Sequence, residues 1–142
     1  MVWLSILTVY RTLKNSLVKR TETRTAVIFY DEDHILYIRL RDRMHVDYED
    51  VLDNQLVIKT LTEGNKTRKL IKWPGNVRIE KKAQKHLKEA DWRSVIAKAV
   101  VTDSAMKACI HNFLLACRRS EIPVHFFTDT KKAREWLLKF PL

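Results

Sequence analysis

Glycine and proline are scarce, with 2 Gly and 3 Pro in 142 residues. Collagen-like and low-complexity chains need far more of both, and two glycines cannot build a Gly-rich loop that cradles phosphate. Cysteine is equally rare. Cys109 and Cys117 lie in one predicted helix, where a rise of ~1.5 Å per residue sets them about 12 Å apart. A disulfide spans at most roughly 7 Å between Cα atoms, so this pair cannot bridge within the helix, and free thiols suit a cytoplasmic chain. No run approaches the ~18–20 apolar residues of a membrane-crossing helix. The apolar run from Val2 to Tyr10 has no basic residue before it and no small-residue cleavage site after it, so it does not read as a secretory signal. Catalytic patterns are missing too. There is no nucleophile elbow and no Cys-His pairing at a recognisable spacing. His34, His45, His86, His111 and His125 are scattered, and Cys109 and His111 point about 160° apart on a helix, which excludes them as a metal pair. The residues therefore predict a non-catalytic chain without metal or cofactor.

What is present is a core-forming composition, 46% hydrophobic and 31% charged, at a length typical of one domain. Residues 1–24 form a predicted amphipathic extension. Trp3, Ile6, Leu7, Tyr10, Leu13 and Leu17 recur at helical spacing, and Arg11, Lys14, Lys19 and Arg20 supply cations. Such a helix packs on the domain, on a second subunit or on a membrane surface. Residues 25–142 form the predicted domain. Ala26 to Tyr30 and His34 to Leu40 read as strands joined by a short acidic turn, Asp31-Glu32-Asp33, as in a hairpin. Asp47 and Asp50 have capping-box spacing, and Tyr48, Val51, Leu52, Leu56 and Ile58 are expected on the buried face of the helix that follows, with Val57 and Leu61 outside it. Arg68 to Trp73 is a strand ended by Pro74-Gly75, and Asn76 is the expected cap of a helix with Ile79, Ala83, Leu87 and Ala90 in one stripe. Val95 to Val101 is apolar enough for a strand buried on both faces. Thr102 or Asp103 is expected to cap the longest helix, with Ala105, Met106, Cys109, Ile110, Phe113, Ala116 and Cys117 inward and Lys107, His111 and Arg118 outward. Ile122 to Phe127 is the last strand, and Thr128-Asp129 cap a final helix carrying Ala133, Trp136, Leu137 and Phe140. The order β-β-α-β-α-β-α-β-α predicts an α/β fold with a mixed, mostly parallel five-stranded sheet and four right-handed strand-helix turns.

This order resembles the STAS domain, the SpoIIAA-like fold of anti-sigma-factor antagonists and sulfate-transporter tails. Ile122-Pro-Val-His-Phe-Phe-Thr-Asp129, followed by Ala133 and Trp136-Leu137, is similar to the ending of small uncharacterised STAS-like bacterial proteins. The likeness covers roughly Thr25 to Phe140 and implies a regulatory domain that works through protein contacts. The antagonists' phosphorylated Ser or Thr sits in the turn that here reads Trp73-Pro-Gly-Asn-Val77. With no hydroxyl in that turn, the phosphorylation switch is not expected.

Ligands of parallel sheets usually sit beyond the strands' carboxyl ends, a rim that would hold Asp47, Asp103 and Asp129. Each also stands at a helix start, where N-capping accounts for it without a metal. Charge is more informative. The net charge is +10, and Lys59 to Lys98 carries twelve basic residues against four acids, a local +8. Lys81, Lys82, Lys85 and Lys88 fall on one helix exterior, with Lys69, Lys72, Trp73 and Arg78 near its entry. These eight residues are the predicted face for an anionic partner. Nucleic acid is disfavoured because no recognition motif with interleaved aromatics accompanies the charge. The expected partners are a protein, including a second copy of the chain, or an anionic lipid surface.

Overall fold

The computed structural model describes residues 20–117 and 122–142; the predicted amphipathic helix lies almost wholly outside them. The chain order is β1 (Arg20–Glu22), β2 (Ala26–Tyr30), β3 (Ile35–Leu40), β4 (His45–Val46), α1 (Tyr48–Thr62), β5 (Thr67–Lys72), β6 (Arg78–Ile79), α2 (Lys81–Ser94), β7 (Val95–Val101), α3 (Ala105–Cys117), β8 (Val124–Phe127) and α4 (Thr130–Leu137). The main sheet has the order β1-β2-β3-β5-β7-β8, and β4 and β6 form a separate parallel pair. β1 to β3 are antiparallel, and β3, β5, β7 and β8 are mutually parallel. The sheet thus has six strands rather than five. The sixth, β1, comes from the polar stretch Arg20–Glu22, whose register against Val27–Phe29 is set by backbone pairing rather than by apolar residues.

Alternating side chains divide the strands between two cores, as the period-2 pleat requires. Ile28, Leu36, Ile38, Leu40 and Ile71 pack with Val46, Val51 and Ala83 beneath α1 and α2. Ile35, Leu70, Ala97, Ala99 and Val101 face α4 through Ala133 and Leu137 on the opposite side.

The caps explain where the helices start. Asp47 accepts the Asp50 N–H at 2.8 Å and Asp50 accepts the Asp47 N–H at 3.0 Å, a reciprocal capping box. Asp129 accepts the Lys131 N–H at 2.8 Å. Two expected caps are displaced. Glu80 is the N-cap of α2, because β6 intervenes, and Asn76 instead accepts the Arg43 N–H at 3.1 Å. Ser104 caps α3 through the Lys107 N–H at 3.3 Å, in place of Thr102 or Asp103. Within the described residues α1 spans 15 residues and α3 spans 13.

Two predicted helix faces are also corrected. In α1, Leu56 is 68% exposed, while Val57 and Leu61 pack on the core. The buried face is rotated toward Asp50 and Asn54, whose polar groups bond Arg24, Thr23 and Thr25. In α3, Met106 is 73% exposed and Ala105 and Cys109 are also exposed, while Ala108 is buried. The side chains of Ile110, Phe113, Ala116 and Cys117, and Arg118, fall outside the described set. Asn112 turns the helix toward the sheet by donating to the Phe126 carbonyl at 2.9 Å and accepting its N–H at 2.7 Å.

The acidic hairpin turn is anchored from a distant part of the chain. Arg134 on α4 bonds Asp31 at 2.6 Å and also contacts Asp33 and the Tyr37 hydroxyl. Arg68 donates to the carbonyls of Asp33 at 2.7 Å and Phe140 at 2.8 Å. We expect Arg134→Met to lower unfolding stability by roughly 1.5–3 kcal/mol, the range for hydrogen bonds to charged groups. Urea denaturation measures the loss, and hydrogen exchange at the Ile35 amide, which Asp31 caps at 3.0 Å, should speed up.

Candidate functional site

α1 and α2 do not fill the space over the sheet. Between them and the strands lies a cavity of about 560 Å³, within the ~300–1,000 Å³ range of small-molecule pockets. Its floor follows the pleat. Thr67, Lys69, Ile71 and Trp73 succeed one another along β5 and just past it, a run of about 20 Å at ~3.3 Å per residue. Leu36, Ile38 and Leu40 on β3 line it alongside. The roof uses the inner side of α2, where Leu87, Ala90 and Asp91 line the space. Exposed lining residues Lys59 in the last turn of α1, Gly64 and Asn65 just after it, and Glu89, Arg93 and Ser94 on α2 place the mouth at the C-terminal ends of these helices. The cavity therefore opens near the strands' amino ends, opposite the rim where sequence reasoning looked for a ligand.

One step in from Thr67 lies a buried charge cluster. Lys69 Nζ donates to Asp91 Oδ1 at 2.6 Å and Lys98 Nζ donates to Asp91 Oδ2 at 2.7 Å. The Lys69 and Asp91 side chains are 4% and 7% exposed. Burial pushes the Asp91 carboxyl up, but the two ammonium groups outweigh it and hold it below its ordinary value. For Lys69 burial is the largest influence and lowers its pKa; Asp91 opposes this and Lys98 reinforces it.

The residues of the predicted anionic-partner face divide between the two sides of the sheet: by the β5 alternation Lys72 shares the side of Leu70, which packs with Ala133 and Leu137 away from α2. Lys81, Lys82, Lys85 and Lys88 are all exposed along the outside of α2, and Lys72 and Arg78 are exposed too. Lys82 Nζ lies 4.3 Å over the Tyr48 ring. Trp73 is half-buried and donates from its indole to the Val77 carbonyl at 3.3 Å. Lys69 does not belong to this face, because its place in the β5 alternation points it inward to Asp91. Of the rim aspartates, Asp47 and Asp129 are N-caps. Asp103 packs against the Gly75 backbone, where an added Cβ would lie 2.9 Å from its Oδ2. Among the described residues no group of three or more His, Cys, Asp or Glu side chains could hold a metal. Sequence reasoning missed Asp91, although its spacing was a signal. It lies four residues after Leu87 and eight after Ala83, which places a carboxylate on the apolar stripe of α2.

The charge cluster should respond asymmetrically to substitution. Asp91→Asn leaves two buried cations without their counter-ion and is expected to cost about 3–5 kcal/mol. Lys69→Met leaves a neutral Asp91–Lys98 pair and is expected to be near neutral or stabilising. The pH signs follow from linkage. Asp91 holds its proton less tightly when folded, so its contribution is full above the ordinary value of 3.8 and is lost as pH falls below it. Lys69 is also lowered, so stability rises with pH between its folded value and the ordinary 10.5. Denaturant titrations across pH should show this alkaline rise in the parent chain and lose it in Lys69→Met.

Comparison with known proteins gives the fold a relative. A crystal structure of an uncharacterized protein from the DUF3478 family, with a SpoIIAA-like fold, from Shewanella loihica PV-4, superposes with a TM-score of 0.60 at 13% identity. The match covers 82% of this chain and 98% of that one. The fold seen here, a mostly parallel sheet with interleaved helices, is thus SpoIIAA-like. No curated protein matches the sequence. No helix among the described residues is long and apolar enough to cross a membrane. Residues 29–141 match the family described as "Domain of unknown function (DUF7793)", and the chain belongs to that family.

Proposed function

We propose that this chain is a non-catalytic, regulatory binding module that takes a small, mostly apolar molecule into the cavity and meets a protein partner through the outside of α2. The carrying observation is the division of this one helix. Leu87, Ala90 and Asp91 line the cavity, while Lys81, Lys82, Lys85 and Lys88 are exposed on its exterior. None of these four lysines makes an ion pair among the described residues, so the row is available to an acidic surface. Because roof and exterior are the same rigid element, any adjustment of the roof to an occupant moves the lysine row with it. The turn Trp73–Val77 carries no hydroxyl, which favours an occupant rather than phosphorylation as the signal.

Native mass spectrometry of the chain purified from its host tests the cavity. A bound small molecule should add mass that denaturation removes, and Ala90→Phe, which projects a ring from the roof into the cavity, should abolish the adduct without lowering the melting temperature. Affinity capture with the parent chain and with a Lys81, Lys82, Lys85 and Lys88 to Gln variant tests the exterior. A partner held by the parent and lost by an equally stable variant supports the protein contact. Salt-sensitive co-sedimentation with anionic vesicles, lost in the same variant, would replace the protein partner with a lipid surface.

A further inference from the structure

We infer that the cavity selects a single-chain amphipathic carboxylate, a fatty-acid-like molecule whose anionic head lies at Lys69 and Lys98 and whose tail runs toward Trp73. This rests on the reading of the cavity as a ligand site and adds the ligand's charge and orientation.

The charge count comes first. Lining the cavity are four cationic side chains, Lys59, Lys69, Arg93 and Lys98, against two carboxylates, Glu89 and Asp91. Inside, two ammonium groups share one carboxylate, each taking a different oxygen. An ammonium group has three donors. Among the described residues Lys69 Nζ and Lys98 Nζ each make one hydrogen bond, to Asp91. The Lys69 side chain is 4% exposed and that of Lys98 21%, so water has little access to the remaining Lys69 donors. One further anion between the two ammonium groups would balance the charge and take up free donors through charge-assisted bonds.

Polarity then sets direction. Toward the mouth the lining is Thr62, Asn65, Thr67 and Ser94; beyond Lys69 the floor becomes Ile38, Leu40 and Ile71, with Val46 and Ile79 alongside and Trp73 at the end of the β5 row, while the polar groups of the lining helices there are already engaged, Gln55 with His86 and Asn54 with Thr23 and Thr25. A head placed at Lys69 leaves about 13 Å of apolar floor, four residues at ~3.3 Å each, from Lys69 to Trp73. That length suits an extended alkyl tail, whereas a compact anion such as phosphate would leave the apolar end unfilled. Charge also argues against this chain's own first segment as the occupant. Residues 1–24 carry five basic residues and one acid, a net +4, and a cation-rich cavity repels them.

The test uses the full chain with four probes below their micellar concentrations: decanoate, decanol, decyltrimethylammonium and acetate. Isothermal titration gives affinity and thermal unfolding gives the stability shift. Decanoate is expected to bind with one-to-one stoichiometry and raise the melting temperature. Decanol should bind at least about tenfold more weakly, the loss of one charge-assisted hydrogen bond. Decyltrimethylammonium and acetate should not bind measurably. Lys69→Met should bring decanoate to the affinity of decanol, and decanol binding by the same variant shows that the cavity is intact. Equal binding of decanol and decanoate by the parent overturns the carboxylate assignment and leaves the cavity reading standing. Tighter binding of the ammonium probe overturns the charge argument, and acetate binding as tight as decanoate overturns the tail. If no probe binds, the carboxylate and the cavity reading fall together.

Discussion

Two lysines face each other across the centre of the sheet. Lys69 on β5 and Lys98 on β7 are direct partners in the parallel register, and like charges so placed repel. Asp91 resolves this by reaching down from α2 to both ammonium groups. That single carboxylate therefore fixes the helix over the two central strands. Together with Ala83 and Leu87, which pack on the core from the same stripe, it holds α2 over the cavity. The same contact positions the exterior lysines, because Asp91 stands one helical turn past Leu87 and Lys88 shares that turn. Charge compensation in the interior thus governs both faces of the helix.

Element order was legible because each element carries a local signature. Asp47 and Asp50 announced α1 through their spacing, and Asp129 announced α4; both caps are made as the residue types require. The apolar, β-branched run Val95 to Val101 has the character of a strand buried on both faces, and it stands between β5 and β8. Strands of two or three residues carry too little pattern to be seen. Arg20–Glu22 pairs through its backbone, and the two-residue strands β4 and β6 are held by bonds such as Arg78 N–H to the Met44 carbonyl at 3.0 Å and Glu80 N–H to the Val46 carbonyl at 2.9 Å.

Helix faces were misread wherever a polar residue turned inward. Asp50 and Asn54 are both buried on α1, because Arg24 and the Thr23–Thr25 turn supply partners from a distant part of the chain. An apolar-stripe argument rotates such a helix the wrong way and leaves Leu56 assigned to a core it does not reach. The candidate site suffered from the same limitation. A cavity is the space that side chains leave, and no periodicity in one segment reports it. Its charged end was closer to view: Lys98 interrupts an otherwise apolar strand face, Lys69 sits on the inward face of β5 between Thr67 and Ile71, and Asp91 interrupts an apolar helix stripe. Three such charged residues in adjoining elements are a pattern that sequence alone could have paired.

Asn112 closes part of the sheet's outer edge. By accepting from the Phe126 N–H and donating to the Phe126 carbonyl, its amide offers the last parallel strand the pair of bonds that a neighbouring peptide would offer. β8 is the outer strand of the sheet, and an outer strand is ordinarily a template for another chain. A side-chain amide standing in for one residue of a seventh strand satisfies both outward backbone groups of Phe126 at that edge.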